Sequence, residues 1–590
     1  MRRTIIFLFL LIIIGSLLYA QTPEWLWAAQ AGGSSYDTGY GITIDDLGNT
    51  YVTGGFEGTA NFGTYSLTSN GDWDIFVAKM NSNGNWQWAA QAGGSINDYG
   101  YGITIDDSGN TYVIGCFEST ATFGSYSLTS NGYKDIFVAK MDANGSWQWA
   151  AHAGGSSLDH GNGITIDDLG NTYVIGWFYE TATFGSYSLT SYGGTDIFVA
   201  KMDANGNWLW VTQAGGSDQY FGNEITIDDL GNTYVTGSFK NTATFGSYSL
   251  TSNGYDDIFV AKMDAMGNWQ WATGAGGFHQ DWGYGITIDD ERNTYVTGSF
   301  KNTATFGSYS LTSNGYDDIF VAKMDATGNW QWAAQAGGSS LDQGYGITID
   351  DERNTYVTGM FRETATFGSY SLTSYGSRDV FVAKMDATGN WQWAAQAGGN
   401  NEDYGKGGIT IDYLGNTYVT GRFEETATFG SYSLTSNGEA DIFVAKLGRD
   451  FVANFIADIT FGYYPSIEVN FTNLSGSVPT NWFWDFQNDG VYDSFEQNPT
   501  FTYTDVGEYS VKLKISDGTL VDSLIKHNYI TVEYVPPAPP TNVQVNISGD
   551  DVILNWAAVD TTIFGTPIEV DYYIIYQSDE PNGNWQFSGA

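Results

Sequence analysis

The sequence predicts an all-β protein: a seven-bladed β-propeller followed by two smaller β-sandwich modules, the last one truncated. Three observations predict it. A Trp-x-Trp pair begins at Trp25 and returns at Trp86, Trp147, Trp208, Trp269, Trp330 and Trp391, each step being 61 residues. Four strand-like runs fall within each period. The array also opens and closes on complementary fragments of that unit. Self-similarity at a constant period marks a repeat architecture.

The strands follow from pattern and turn chemistry. Strand A, Ile-Thr-Ile-Asp, begins at Ile42, and strand B spans Thr50–Gly54. Between them Asp46, Leu47, Gly48 and Asn49 form a turn. Strand C spans Asp74–Met80 and strand D Asn85–Ala89, joined through Ser82, Asn83 and Gly84, where Asn-Gly favours a tight hairpin. The stretch between B and C, with Phe62, Gly63, Tyr65 and Leu67, is expected to add a short strand or cover the blade edge. Strand A recurs at Ile103, Ile164, Ile225, Ile286, Ile347 and Ile409, the last step lengthened by one residue inserted near Lys406.

The ends choose between ring and solenoid. A lone D strand at Glu24–Ala29 precedes the first A strand, and the final C strand at Asp441–Lys446 has no D strand after it. Pairing the two completes seven blades and leaves neither edge open. Residues two apart on a strand share a face, so the paired Trp residues are expected to pack between blades. Burying a Trp removes about 150–250 Å² from water, worth roughly 4–6 kcal/mol before entropy at ~25 cal/mol/Å².

Ile44–Gly54, Asn61-Phe62-Gly63, Asp74–Met80 and Gly93-Gly94-Ser95, recurring from unit to unit, resemble the bacterial seven-bladed β-propeller repeat called SBBP. The resemblance spans residues 24–447. It implies a propeller, seen mostly in secreted and surface proteins, and no defined reaction.

The N-terminus agrees with export. Arg2 and Arg3 precede the apolar run Ile5–Ile14 and a small residue at Ala20, the order of a secretory signal peptide covering residues 1–20. The propeller is assigned to residues 21–449. A net charge of −44 repels phosphate backbones, so nucleic acid is not an expected partner. After cleavage of the signal no membrane insertion is expected, and the chain is expected to be monomeric. The single Cys116 forms no intramolecular disulfide.

Candidate ligand residues lie where the copies differ. The connection from D to A carries Thr38, Tyr99, His160, Phe221, Trp282, Gln343 and Tyr404, preceded by Asp37, Asp98, Asp159, Tyr220, Asp281, Asp342 and Asp403. Strand order places these on the same rim as the B-to-C connections, which also vary, as in Asp72-Trp73 and Ser377-Arg378. Diverse side chains on a uniform frame suit recognition by loops. The recurring Asp also suits an Asx-type turn. The opposite rim repeats Asp pairs beginning with Asp45-Asp46, read as turn formers, some of them pairing with the repeated Lys79, Lys140, Lys201, Lys262, Lys323, Lys384 and Lys446, or else as a ring of carboxylates able to hold Ca²⁺.

Two modules follow. Trp484-Asp485-Phe486, Asn498-Pro499, Tyr503, Gly507, Tyr509, Val511, Leu513 and Gly518 resemble a PKD domain, an immunoglobulin-like β-sandwich, over residues 452–534. Within it Asp485, Gln487, Asp489, Asp493 and Glu496 fall at EF-hand-like spacings, a candidate Ca²⁺ loop without flanking helices. Residues 535–540 form a Pro-rich linker. Pro540, Trp556 and Tyr572–Tyr576 resemble the first half of a fibronectin type III domain over 541–590, with the closing strands expected to be missing.

The sequence holds no nucleophile elbow, zinc spacing or recurring His, so no catalytic residue is expected and no cofactor is required, Ca²⁺ being the one candidate. The expected role is a secreted or cell-surface bacterial binding or adhesion scaffold for an extracellular protein or glycan. The alternatives are a polysaccharide-active propeller enzyme and a passive spacer.

Overall fold

The computed structural model describes residues 23–448, 453–476, 479–516 and 521–537, with short segments beyond 540. The chain divides into two compact units at residues 449/450, each considered by itself. The expected signal peptide, the second half of the linker, and the fibronectin-like carriers Pro540, Trp556 and Tyr572 lie outside the described residues.

The first unit is seven four-stranded antiparallel blades, and the chain closes them as its ends predicted. The N-terminal strand Glu24–Gly33 pairs antiparallel with the last C strand, from Glu24 opposite Gly448 to Ala31 opposite Ile442. Trp27 faces Lys446 and Trp25 faces Leu447 across a bulge. The same register joins Trp88 to Lys79 and Trp86 to Met80 inside the first blade. The non-covalent closure thus copies the covalent hairpin.

Three strands run longer than the sequence pattern indicated. In the first blade A spans Asp37–Ile44, B Thr50–Phe62 and C Tyr65–Met80. A bulge between Gly39 and Gly41 breaks the alternation that would have revealed the start of A. A second bulge after Glu57 separates the blade proper from a hairpin arm, Thr59–Phe62 against Tyr65–Thr68, whose Thr- and Ser-rich composition reads as loop. The arm reaches the preceding blade: Ala60 and Asn61 pair with Gly33 and Gly32 of the N-terminal strand. Equivalent pairs join every later blade to its predecessor, through an isolated bridge from Gly215 to Thr244 in the fourth.

The core sits between blades. Among the described residues, seven buried clusters of this unit each combine two neighbours. One joins Ala31, Ile442 and Val444 of the last blade to Val52, Phe56 and Phe76 of the first, so apolar packing as well as hydrogen bonding runs through the closure. Inner strands approach closely at glycine, since a Cβ on Gly41 would stand 2.8 Å from the Tyr101 carbonyl.

The Trp pair works at the blade edge. Trp86 meets Phe62 edge-on at 5.1 Å and donates its Nε1–H to the Gln30 carbonyl of the preceding blade. Trp88 lies in a cross-strand row with Lys79 and Tyr51, and Gly145 of the next blade, in the left-handed region at φ +81°, closes over the indole. Most of these indoles remain partly exposed, Trp25 being the buried one, so full-burial energies overstate them.

The acid–base row on the opposite rim is turn chemistry. Asp45 accepts N–H bonds from Leu47 and Asn49, and Lys79 lies 3.7 Å from Asp45 and over the Tyr51 ring. Six of the seven repeated lysines pair this way; in the fourth blade Arg292 takes Asp228 in place of Lys262.

The second unit contains a β-sandwich. One sheet holds Phe455–Ala457, Ile467–Asn473 and Thr500–Tyr503; the other holds Phe461–Tyr463, Val521–Glu533, Gly507–Ser516 and Asn481–Asp485. Trp484, Phe471, Phe486, Val511, Leu513 and Ile515 fill the space between them.

Deleting residues 24–31 exposes the edge of the last C strand and opens the cluster around Ala31. Calorimetry should show the propeller transition lowered by several degrees or more, and an unchanged melting curve would contradict the closure.

Candidate functional site

The inner strands surround a central channel of about 620 Å³, lined from all seven blades. Tyr40, Tyr101, Asn162, Asn223, Tyr284, Tyr345 and Lys406 occupy one equivalent position each. Two residues earlier stand Thr38, Tyr99, His160, Phe221, Trp282, Gln343 and Tyr404; the longer A strand places the first six at the channel mouth instead of on a loop, and Tyr404 is held by an isolated bridge to Arg422. Thr38 and Tyr404 are buried; the other five are half-buried.

The aromatic members form a continuous arc. Trp73 lies 5.4 Å from Tyr99, Tyr99 stacks on Tyr101 at 5.9 Å, and Tyr101 meets His160 at 4.5 Å. His160 stacks on Trp177 at 5.1 Å, Trp177 meets Phe221 edge-on, and Phe221 stacks on Trp282 at 6.0 Å. Trp282, Tyr284 and Tyr345 continue it. Burial lowers the His160 pKa to about 4, opposed by its hydrogen bond to Asn162, so the ring is neutral near pH 7 and acts as an aromatic surface. Asn162 and Asn223 donate across to the Gly222 and Gly283 carbonyls, tying successive inner strands.

The arc ends in a cationic corner where the sixth, seventh and first blades meet. Arg422 lies over the Tyr404 ring at 4.5 Å, and Arg378 and Lys406 each approach it at 5.4 Å. Arg378 pairs with Glu402 at 2.8 Å, and Tyr404 donates to the other oxygen of Glu402 at 2.6 Å. Burial, then Arg422 and Arg378, lowers the Lys406 pKa. Thr38, Tyr40, Tyr404, Lys406 and Arg422 line a side cavity of about 110 Å³. The inserted residue shortens the last A strand to Ile409–Ile411 and places Gly408 in the left-handed region at φ +82°.

The aspartates proposed from sequence as ligand residues are turned away from this mouth. Asp37, Asp98, Asp159, Asp281, Asp342 and Asp403 are buried, and each accepts two backbone N–H bonds from different elements. Asp98, for example, takes Gly94 of the preceding blade at 2.7 Å and Glu118 of its own arm at 3.0 Å. In the fourth blade Tyr220 substitutes, its hydroxyl donating to the Thr242 carbonyl. These carboxylates are brackets of the frame. Desolvation raises Asp98 to about 7 against the two amides, with the neighbouring Asp74 adding to the rise.

The acidic loop of the sandwich is tied to its own backbone. Asp485 is buried and accepts N–H bonds from Asp489 and Gly490, Asp493 accepts from Phe486, and Asp489 accepts from Val491. Among the described residues no group of three or more His, Cys, Asp or Glu is placed to hold a metal.

Sequence reasoning missed the Tyr40 row, Trp177, Glu224 and the corner as a unit. Glu224 stands where Gly41, Gly102, Gly163, Gly285 and Gly346 do, and desolvation raises it to about 7. Arg422 occupies the position of Gly55, Cys116, Trp177, Ser238, Ser299 and Met360. Departures from the repeat were the available signal.

An acid whose pKa is raised by folding binds more protons in the native state between its unfolded and folded pKa values, so stability is full below about pH 4 and falls as pH rises through about 7. The melting temperature should therefore drop between pH 5 and pH 8, and Asp98→Asn should reduce that slope. A slope identical to that of the unaltered chain would exclude Asp98 as a contributor.

Comparison with known proteins agrees with this architecture. Residues 26–54, 87–115, 209–238, 270–299 and 331–360 match the beta-propeller repeat model SBBP, and residues 452–532 match a PKD domain model. An uncharacterized WD repeat-containing protein, L264, of Acanthamoeba polyphaga mimivirus is 24% identical, covering 73% of this chain and 39% of the relative. The regulatory protein FlaEY of Caulobacter vibrioides is also 24% identical, covering 56% of this chain and 37% of the relative. The chain thus spans less than two fifths of the curated relatives it matches. No helix among the described residues is long and apolar enough to cross a membrane. The chain thus carries beta-propeller repeats of the SBBP type, matched in five stretches, and a PKD domain after them in sequence.

Proposed function

We propose that the protein is a secreted or cell-surface, non-catalytic binding scaffold that recognises an extracellular protein or a glycan through the mouth of the propeller channel. One observation carries this reading. Equivalent backbone positions around the mouth bear different side chains in successive blades, and those side chains form one half-buried aromatic arc on an otherwise repeated frame. A concave site of this size, with aromatic walls and a few polar groups, suits ligand capture. The charged N-terminal segment followed by an apolar run, and a PKD module, support export.

The ionisable groups at the mouth favour binding over chemistry. Glu402 is engaged by Arg378 and Tyr404, and His160 is held neutral against Asn162.

Glycan and protein arrays probed with the chain test the proposal. Binding should fall at least tenfold on Trp282→Ala and on Tyr404→Ala. Absence of binding to every target would favour a spacer, and release of reducing ends from a polysaccharide would replace the reading with an enzyme.

A further inference from the structure

We propose that the Arg378–Lys406–Arg422 corner is a carboxylate subsite, and that the ligand of the mouth is an acidic glycan carrying uronate-type sugars. This rests on the mouth being the binding site, and it names the chemistry taken there.

The first ground is an anomaly of charge. The chain has a net charge of −44 and only 22 lysines and arginines, yet three cations converge on one tyrosine ring. Glu402 answers one of them, Arg378, and Glu424 lies within the field of Arg422 without forming an ion pair with it. Among the described residues Lys406 and Arg422 make no ion pair, unlike six of the seven repeated lysines on the far rim. The Nε atoms of Arg378 and Arg422 are also buried without a hydrogen-bond acceptor. Donors left without an acceptor leave the corner under-satisfied, and an anion bound at the guanidinium and ammonium ends adds acceptors there. Mutual repulsion and desolvation, which already push the Lys406 proton affinity down, would be relieved by the same anion.

The second ground is position. The corner opens into a cavity that contains Tyr40 and adjoins the channel, lined also by Tyr345, Asn162, Asn223 and Gln343. A sugar ring offers an apolar face for an aromatic ring and hydroxyls for amide and phenol groups, and a uronate adds one carboxylate at its edge. That combination matches an aromatic arc ending in two unpaired cations. An acidic peptide would use the cations but would leave the graded arc of ring faces without a repeating partner.

The third ground is where the sequence breaks its own rule. The array has one inserted residue, and it lies beside Lys406, shortening the strand that would otherwise continue the regular inner wall. Arg422 replaces small or apolar residues of the other blades at its position. Both departures meet at one corner.

Isothermal titration of the full chain with an oligogalacturonate, a neutral cello-oligosaccharide of equal length, and a poly-glutamate peptide tests the inference. The oligogalacturonate should bind at least tenfold more tightly than the neutral sugar, and more weakly as salt rises. Lys406→Gln and Arg422→Gln should each remove most of that preference while leaving the melting curve near that of the unaltered chain. If Arg422→Gln fails to fold, Lys406→Gln alone decides. Equal binding of both sugars, lost on Trp282→Ala but not on Lys406→Gln, would overturn the carboxylate subsite and leave the mouth as the binding site. Binding of poly-glutamate without oligogalacturonate would overturn the glycan assignment. Binding of none of the three, with a different array ligand that is lost on Trp282→Ala, would overturn the inference alone; no mouth-dependent ligand at all would remove both readings.

Discussion

Everything in the propeller depends on a β-strand at one end of the chain completing a sheet made at the other. A blade presents an apolar face to each neighbour, so an open row would leave two such faces in water. Pairing Glu24–Gly33 with the last C strand removes both, because it places Ala31 and Trp27 where every other blade keeps its own fourth strand. The hairpin arms add a second, independent belt, since each is hydrogen-bonded to the blade behind it. Backbone pairing gives the register, and interblade packing supplies most of the apolar burial.

The buried aspartates show how such a ring holds its loops. A carboxylate taken out of water needs partners, and Asp98 finds two backbone donors from different blades. The same arrangement holds the beginning of each inner strand at a constant height around the channel. Side chains one position later can then vary without moving the frame, which is what allows Tyr99, His160, Phe221 and Trp282, bridged by Tyr101 and Trp177, to form an unbroken arc. A rigid, repeated residue beside a variable one is a division of labour between architecture and recognition.

Much of this was legible in the sequence because the period was regular. The blade number, the closing strand and the Asp–Lys turns followed from spacing and turn residues, and the sandwich followed from its resemblance to a PKD domain. The inner strands were read too short, because a glycine bulge at Gly39/Gly41 erases the two-residue alternation there. The hairpin arms were read as a short extra strand or as cover for the blade edge, because Thr, Ser and Asn dominate a segment whose strand character comes from pairing with a neighbour. The aspartates were placed among the ligand residues because a sequence does not show which way a side chain turns at a strand start. The acidic loop in the sandwich has the spacing of a cation site, and that spacing does not show that its carboxylates also accept from nearby amides. The cationic corner draws Arg378, Lys406 and Arg422 from three separate stretches, and only the ring brings them together.

The closing seam has the same register as the six internal hairpins, and the stretches Asn232–Ala265 and Asn293–Ala326 are identical. Any unit therefore ends in an edge that the leading strand can recognise. Unequal recombination between near-identical units would change the number of blades and still leave a chain with complementary termini. The seam makes ring size an evolvable trait, and the divergent mouth is what would anchor a lineage to seven.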